Sequence, residues 1–316
     1  MDVSSVGESP VKANPVGSMP AVEWQTLLLV LVTYTGWLAT TFAYGRLSPW
    51  IVFPLAIVLV TLHSSLQHEI LHGHPTRSAA FNRLLAIVPL SLWLPYRRYE
   101  HLHLTHHHDE RLTDAIDDPE TFYWTAEDWQ KLNPISRFVL RIQQTLAGRV
   151  LLGSFWRTGM FVRHEIDVIR ANCDRERVIW LEHLIWCVPV VAWVMLVCHM
   201  PLWIYLLAIV VPARGLLLIR AFAEHRARPA VRQRVAIVEK SWILGPLFLY
   251  NNLHSLHHEK PGIPWYQYNE RYRRERARLI AENGGLVYVT YFDVARRYLF
   301  RPHDVLLHPT GRVPQD

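Results

Sequence analysis

The chain has 316 residues, of which 51% are hydrophobic and 19% charged, with 13 tryptophans and a formal net charge of +6. This composition is too apolar for an average soluble domain and too polar for a transporter made only of membrane helices. A membrane-embedded scaffold with a sizeable aqueous part is therefore expected. Contact with anionic lipid headgroups explains the positive charge, and no nucleic-acid-binding motif accompanies it.

The first segment in chain order is a predicted tail. Residues 1–22 are rich in Ser, Pro and Gly, and they lack the basic start and apolar core of a signal peptide. We expect them to be disordered. Residues 23–310 are expected to form a single membrane-embedded domain, with residues 311–316 as a C-terminal tail.

Four apolar runs predict two transmembrane hairpins. Residues 24–44 supply about 20 uncharged residues, the length that crosses a hydrocarbon core of about 30 Å. Residues 51–67 return across the bilayer. The second hairpin consists of residues 184–200 and 202–222, joined by a tight turn at Pro201.

Basic segments indicate the orientation of these hairpins. Residues 96–101 and 270–278 are strongly basic, and the positive-inside rule keeps such segments in the cytoplasm. Both hairpins and both chain ends are therefore expected to open to the cytoplasm, in a bacterial inner membrane. The apolar run 81–95 is too short and too interrupted for a fifth crossing, which favours an interfacial or re-entrant helix.

The 18 histidines are concentrated in three clusters, all predicted at the cytoplasmic face. The first, HEILH, contains His68 and His72. The second lies within HLHLTHHHD (101–109), the third within NNLHSLHHE (251–259), and a lone His225 precedes the third. The candidate metal ligands are His68, His72, His103, His106, His107, His225, His254, His257 and His258.

The spacing of these histidines indicates more than one metal ion. In an HxxHH helix, positions one and five share a face while the adjacent pair points in two directions, so one short segment reaches two ions. Imidazoles without thiolates suit iron, zinc, copper or nickel. Nine nitrogens are far more than the three protein ligands of a catalytic zinc, which predicts a two-metal site.

The three clusters resemble the histidine boxes of the membrane fatty acid desaturase superfamily, HxxxH, HxxHH and HxxHH, in order. The resemblance covers residues 45–310 and includes DDPE (117–120) and PGIPWY (261–266). It implies an all-α membrane protein in which two transmembrane hairpins, with interfacial helices, carry a cytoplasmic helical cap. That cap would hold two non-haem iron ions, with dioxygen as co-substrate and a fatty acyl chain as the substrate to be desaturated.

One position departs from the family pattern. Acyl-CoA desaturases of the animal type have an asparagine four residues before the lone histidine, and this chain has Ala221 there, so Asn251 or Asn252 is a candidate replacement. Hydrogen-bond partners that orient the ligands are expected among residues within or beside the boxes: Glu69, Glu224, Asp109, Asp114, Asp117 and Asp118. The histidines expected outside the metal site are His63, His74, His101 and His108.

The electrons for such an oxidation must come from another protein. No dinucleotide fingerprint, haem-binding segment or cysteine cluster is present, so a separate donor such as a ferredoxin with its reductase is expected. A basic face formed by Arg97, Arg98 and residues 270–278 could dock an acidic carrier or contact lipid headgroups. Aromatic residues near the boxes could line a substrate channel or form an interfacial belt: Trp93, Trp124, Trp129, Trp242 and Trp265.

Three alternatives remain open from the sequence. The same boxes occur in hydroxylases and ketolases that act on alkanes, carotenoids or small specialised metabolites. An intramembrane zinc metalloprotease explains His68-Glu69-x-x-His72, in which the glutamate would activate water, but leaves the other boxes without a role. A histidine-rich metal transporter or chaperone would need ligands within the bilayer, whereas these histidines lie at helix ends.

Overall fold

The computed structural model describes residues 22–171 and 173–309. The tails predicted at residues 1–22 and 311–316 lie outside these residues, apart from Val22. The described part of the chain is mainly helical, which confirms the predicted all-α class. A single small sheet pairs Ile237–Val238 in parallel with Val287–Tyr288.

Four helices are long and apolar enough to cross a membrane: Trp24–Phe42, Pro49–Leu71, Asp174–Val197 and Leu202–Glu224. They confirm the two predicted hairpins and are called the first to fourth spans below. The third span is α-helical over Asp174–Ala192 and π-helical over Trp193–Val197. The fourth is α-helical over Leu202–Ile204, π-helical over Tyr205–Val210 and α-helical again over Val211–Glu224.

The third span begins ten residues before the predicted start at residue 184. Its first turns carry charged residues, including Asp174 and Glu176, so hydropathy alone did not mark them. Acidic side chains in a first helical turn interact favourably with the free backbone N–H groups there. The prediction for the start of this span was therefore wrong, because the helix continues beyond its apolar part.

Polar contacts cross between the spans within their apolar core. Trp37 of the first span donates an indole hydrogen bond of 3.0 Å to the Tyr205 hydroxyl of the fourth. That hydroxyl donates to the Leu90 carbonyl oxygen at 2.6 Å. Leu90 belongs to the run 81–95, which contains only the short helix Ala79–Ala86 and no candidate span in the described residues. The run therefore packs against the bundle without a fifth crossing helix.

Eight further helices of the described residues lie outside the four candidate spans and are together called the cap below: Tyr96–His106, Ala126–Lys131, Pro134–Ile142, Leu146–Arg170, Leu244–Leu247, His254–Glu259, Tyr268–Glu282 and Tyr291–Tyr298. Short 3-10 turns cover Asp109–Arg111, Val231–Arg234 and Trp265–Gln267. The sequence did not predict the long amphipathic helix Leu146–Arg170, which packs against the fourth span.

The first and third histidine clusters lie at the ends of helices. The second span ends at Leu71, and Gly73 follows with a φ of +99°, a left-handed conformation that glycine adopts without steric cost. His72 therefore lies at the last turn of that span. Before the third cluster, Leu249 and Tyr250 both have positive φ, and they redirect the chain into the helix His254–Glu259.

Candidate metal centre

All nine histidines predicted as metal ligands come together where the spans meet the cap. Their ring nitrogens form two adjacent groups, and within each group the ligand atoms lie within 4.8 Å of one another. The five-histidine group contains His68, His72, His103, His107 and His257, and the four-histidine group contains His106, His225, His254 and His258.

The division follows the helix faces expected from the sequence. His103 and His107 are four residues apart and belong to the same group, while the adjacent His106 points to the other. The third cluster divides in the same manner, with His254 and His258 in one group and His257 in the other. One turn of helix in each HxxHH cluster thus supplies both groups.

Within each group the Nε2 atoms face one another at short range. In the four-histidine group, His225 Nε2 lies 3.0 Å from His106 Nε2 and 2.9 Å from His254 Nε2. In the other, His107 Nε2 lies 3.0 Å from the Nε2 atoms of both His103 and His257. A single ring nitrogen has one proton or one lone pair, so one such atom cannot satisfy two neighbours by hydrogen bonding alone.

The opposite ring nitrogen, Nδ1, has a partner in His103, His106 and His257. His103 Nδ1 donates to Glu120 Oε1 at 2.7 Å, and His106 Nδ1 donates to Asp118 Oδ1 at 2.8 Å. His257 Nδ1 lies 3.0 Å from the Tyr268 hydroxyl. These contacts fix the ring orientations and leave Nε2 free to face the centre of each group.

His254 and one asparagine connect the two groups. His254 Nδ1 donates to Asn251 Oδ1 at 3.0 Å and lies 3.4 Å from Glu224 Oε1. Asn251 Nδ2 lies 3.4 Å from His68 Nε2 of the five-histidine group. Asn252, the other predicted candidate, instead donates to the Val238 carbonyl oxygen at 2.7 Å, a structural contact.

Burial keeps most of these imidazoles neutral. It lowers the pKa of His72, His107 and His225, and the neighbouring histidines lower it further. For His106, burial also lowers the pKa, but the charges of Asp118 and Glu120 raise it to about 9. A carboxylate partner thus makes the His106 ring more basic, and a more basic imidazole binds a metal more strongly.

These donors fit a transition metal. Two nitrogens bound side by side to one ion, each about 2.1 Å from it, lie about 3 Å apart, as the Nε2 pairs do. The buried Nε2 atom of His72, in the five-histidine group, has no hydrogen-bond partner among the described residues. All donors are imidazoles, and the cysteines Cys173, Cys187 and Cys198 are free and outside both groups. The donor set matches the preference of iron and related metals.

Glu69 lies outside both histidine groups. Its Oε1 accepts a 2.8 Å hydrogen bond from the Trp265 backbone N–H and lies 3.8 Å from His74 Nε2. His74 in turn donates to Glu23 Oε1 at 2.6 Å, so these three residues form a separate buried group. His74, in the loop after the second span, therefore lies between Glu23 and Glu69, and this group is separate from the two histidine groups.

The other predicted residues have varied positions. His63, His101 and His108 belong to neither group, as expected. Asp114 accepts hydrogen bonds from the backbone of residues 116 and 117, and Asp117 is exposed. The Asp109 side chain lies outside the described part of the structure. Sequence reasoning missed Glu120 and Tyr268, although Glu120 ends the DDPE stretch that the family resemblance singled out.

The basic face is smaller than predicted. Arg98 is buried in an ion pair of 2.8 Å with Glu165, so its assignment to an exposed docking face was wrong. Its charge is needed to balance a buried carboxylate. Arg97 pairs with Glu182 at 3.3 Å, while Arg273 and Arg274 on the helix Tyr268–Glu282 remain exposed.

A cavity of about 620 Å³ adjoins the four-histidine group. Its lining includes Glu120, Glu224 and His225 and the aromatic side chains of Trp93 and Trp124. Trp242, by contrast, is 86% exposed, and Trp129 stacks under Arg137 and Arg141. The two wall tryptophans fit the predicted channel.

Comparison with known proteins gives one match. A family model described as Fatty acid desaturase matches residues 47–292, which contain all three histidine clusters and three of the four spans. No curated protein and no solved structure matches the chain.

Proposed function

The chain belongs to the fatty acid desaturase family, and from that premise we propose that it is a membrane-bound di-iron oxidoreductase that desaturates an aliphatic chain, a fatty acyl group. The reaction removes two hydrogens from adjacent carbons, and dioxygen with two further electrons from a donor protein becomes water. One observation carries the proposal. In both histidine groups, the Nδ1 atoms of some histidines bind a partner while the Nε2 atoms point toward one another.

The five-histidine and four-histidine groups would each hold one iron ion. The irons, when bound, supply an oxidant that no amino acid side chain provides. The protein contributes orientation and environment. Glu120 and Asp118 hold the Nδ1 protons of His103 and His106, and burial favours the neutral imidazoles that metal binding requires. Asn251, which touches a histidine of each group, is the candidate for the role of the asparagine absent at Ala221.

The donor of electrons in this proposal is a separate carrier such as a ferredoxin, with its reductase. The exposed Arg273 and Arg274 give the cap a basic surface that suits an acidic partner. Arg274 forms an exposed ion pair with Glu270. Exposed pairs of this kind contribute little free energy, so Arg274 can exchange Glu270 for a new partner.

Lipid analysis tests the proposed reaction. Cells that express the chain, compared with cells that express the His257→Ala variant, are expected to accumulate a fatty acyl species with two fewer hydrogens, in an oxygen-dependent manner. Mass spectrometry of extracted lipids measures this change. A product that gains one oxygen atom would identify a hydroxylase instead, and identical lipid profiles under aerobic growth would contradict the proposal.

Reporter fusions test the proposed cytoplasmic orientation. Tags at the N-terminus, within residues 110–170 and at the C-terminus are expected to report the cytoplasm, whereas tags at Arg46 and Pro201, in the two hairpin turns, report the opposite side. The readout is paired alkaline phosphatase and fluorescent protein activity. A reversed pattern would contradict the orientation, and the same side for Arg46 and residues 110–170 would contradict the hairpins.

A further inference from the structure

Four arginines line the cavity beside the four-histidine group. Arg220 is paired with Glu224, and the other three, called the cavity arginines below, are Arg149, Arg157 and Arg214. Arg149 and Arg157 come from the helix Leu146–Arg170, and Arg214 comes from within the fourth span. Arg214 is the one of the three that lies within a candidate span, and an ionisable side chain there is costly and usually marks a functional pathway when it faces a cavity.

Aromatic faces and backbone carbonyls hold the three guanidiniums. Arg149 and Arg157 both stack on Phe122, with distances of 3.6 Å and 4.2 Å to the ring centroid, and Arg214 lies 3.6 Å over Trp93. The backbone contacts are from Arg149 Nε to the Gln143 oxygen at 2.8 Å and from Arg157 Nη2 to the Thr121 oxygen at 3.3 Å. These contacts position the cations but do not neutralise them.

Other buried arginines of this chain have carboxylate partners. Arg98 pairs with Glu165 at 2.8 Å, and Arg220 pairs with Glu224 at 2.9 Å. Within the described residues, the ion pairs include no carboxylate within 4.0 Å of the three cavity arginines, and Arg149 Nη1 and Arg214 Nε are buried without a hydrogen-bond partner. The cavity lining also contains the carboxylates of Glu120, Asp128, Glu165 and Glu224, but in the described part of the chain none of these forms an ion pair with a cavity arginine. Each of the three guanidiniums is therefore buried without a carboxylate partner.

Mutual repulsion adds to this imbalance. Burial lowers the pKa of Arg149, and the charge of Arg157 lowers it further. Burial lowers the pKa of Arg157 to about 10, while the more distant Glu120 and Asp118 partly compensate. Arg157 thus remains protonated at neutral pH, and an added anion would relieve the repulsion.

We propose that Arg149, Arg157 and Arg214 bind the carboxylate of an amphipathic substrate, which identifies the substrate class as a free fatty acid or a similar carboxylic acid. The inference rests on the proposed function for the reaction itself. Planar guanidiniums match a carboxylate with two parallel hydrogen bonds. Apolar wall residues Met160, Phe161 and Leu217 would contact the chain. Neutral alkanes and carotenoids would leave the three cations unmatched.

The position of the arginines also limits where oxidation occurs. Arg214 precedes His225 by eleven residues along one helix, a distance of about 16 Å at 1.5 Å per residue. Arg149 and Arg157 lie on the same cavity, against Phe122, two residues after Glu120. The reacting carbon is therefore expected within about 16 Å of the carboxylate. In a long acyl chain, this is the part nearer the carboxyl end than the methyl end.

Equilibrium binding in nanodiscs of zwitterionic lipid tests the proposal without requiring turnover. The iron-loaded full chain is titrated with radiolabelled dodecanoate and dodecanol, with empty nanodiscs as the blank. Wild-type protein is expected to bind dodecanoate about tenfold or more tightly than dodecanol, because a charged hydrogen bond is lost with the alcohol. Arg157→Gln is expected to weaken dodecanoate binding to a similar extent, and Arg163→Gln, an exposed position on the same helix, leaves it unchanged.

Iron content and elution volume are measured for each variant, so that misfolding is recognised. The proposal would be overturned if wild-type protein bound dodecanoate and dodecanol equally well, or if it bound neither. Unchanged dodecanoate binding by Arg157→Gln at normal iron content would do the same. Arginine-dependent binding by a protein that forms no oxidised product would support this site while contradicting the proposed reaction.

Discussion

Substitution of His257 by alanine is expected to abolish iron binding and oxidation together. His257 Nε2 lies 3.0 Å from His107 Nε2 in the five-histidine group, and its Nδ1 faces the Tyr268 hydroxyl. Alanine removes a ring nitrogen that no neighbour replaces. Loss of a partner that only orients a ligand costs about 10–100-fold, so loss of the ligand itself is expected to exceed that range. His103→Ala is expected to behave in the same manner.

The measurement is iron per chain by elemental analysis, together with product formation in the lipid assay. His108→Ala is the matched control, because His108 is exposed, adjoins the second cluster and belongs to neither group. The control is expected to retain iron and activity. A His257→Ala protein that keeps two irons and its activity would contradict the assignment of these groups.

Glu69→Gln supplies the contrast that separates an oxidase from a zinc protease. In a protease with the HExxH pattern, the glutamate is the general base and its loss removes nearly all activity. Here the Glu69 carboxylate contacts Trp265 and His74, neither of which belongs to the five-histidine or four-histidine group. We therefore expect Glu69→Gln to keep its iron and to lose no more than about 100-fold in activity. An inactive Glu69→Gln beside an active His257→Ala would favour the protease.

The second large effect is expected from Asp118→Asn. Asp118 Oδ1 accepts from His106 Nδ1 at 2.8 Å and from the Glu120 backbone N–H at 2.9 Å, and Oδ2 accepts from the Thr113 N–H at 2.8 Å. An asparagine has one acceptor oxygen and carries no charge, so it cannot maintain all three contacts. We expect a loss of about 10–100-fold in iron affinity or activity.

Competition with a chelator measures the iron affinity of this variant. Asp117→Asn, the exposed neighbour within the same DDPE stretch, is the control and is expected to leave iron affinity unchanged. Equal iron affinity in Asp118→Asn and wild-type protein would show that the Asp118 contact with His106 does not tune the metal site.

The features predictable from the sequence were those set by local spacing. Histidines four residues apart share a helix face, so the HxxHH clusters already indicated two groups. Apolar runs of bilayer length indicated the four spans. The charged start of the third span was not predictable in this way. Its helix is favoured by acidic side chains in the first turn, which interact with the helix dipole and which a hydropathy profile does not detect.

The features that the sequence did not predict depend on contacts between distant segments. Tyr268 reaches His257 only because the helix Tyr268–Glu282 packs beside the helix His254–Glu259. The choice of Asn251 over Asn252 depends on the left-handed turn at Leu249 and Tyr250 just before them. Arg149 and Arg214 lie far apart in sequence and share a cavity through packing of the helix Leu146–Arg170 on the fourth span.

The metal content of the purified full chain tests the di-iron proposal most directly. After expression in iron-replete medium, elemental analysis is expected to give close to two irons per chain, one for each histidine group. Since zinc can displace ferrous iron by affinity order, the same sample is stripped, reconstituted with ferrous iron and assayed for oxygen-dependent product. A chain that holds one zinc and no iron, and gains no oxidase activity after reconstitution, would contradict the account.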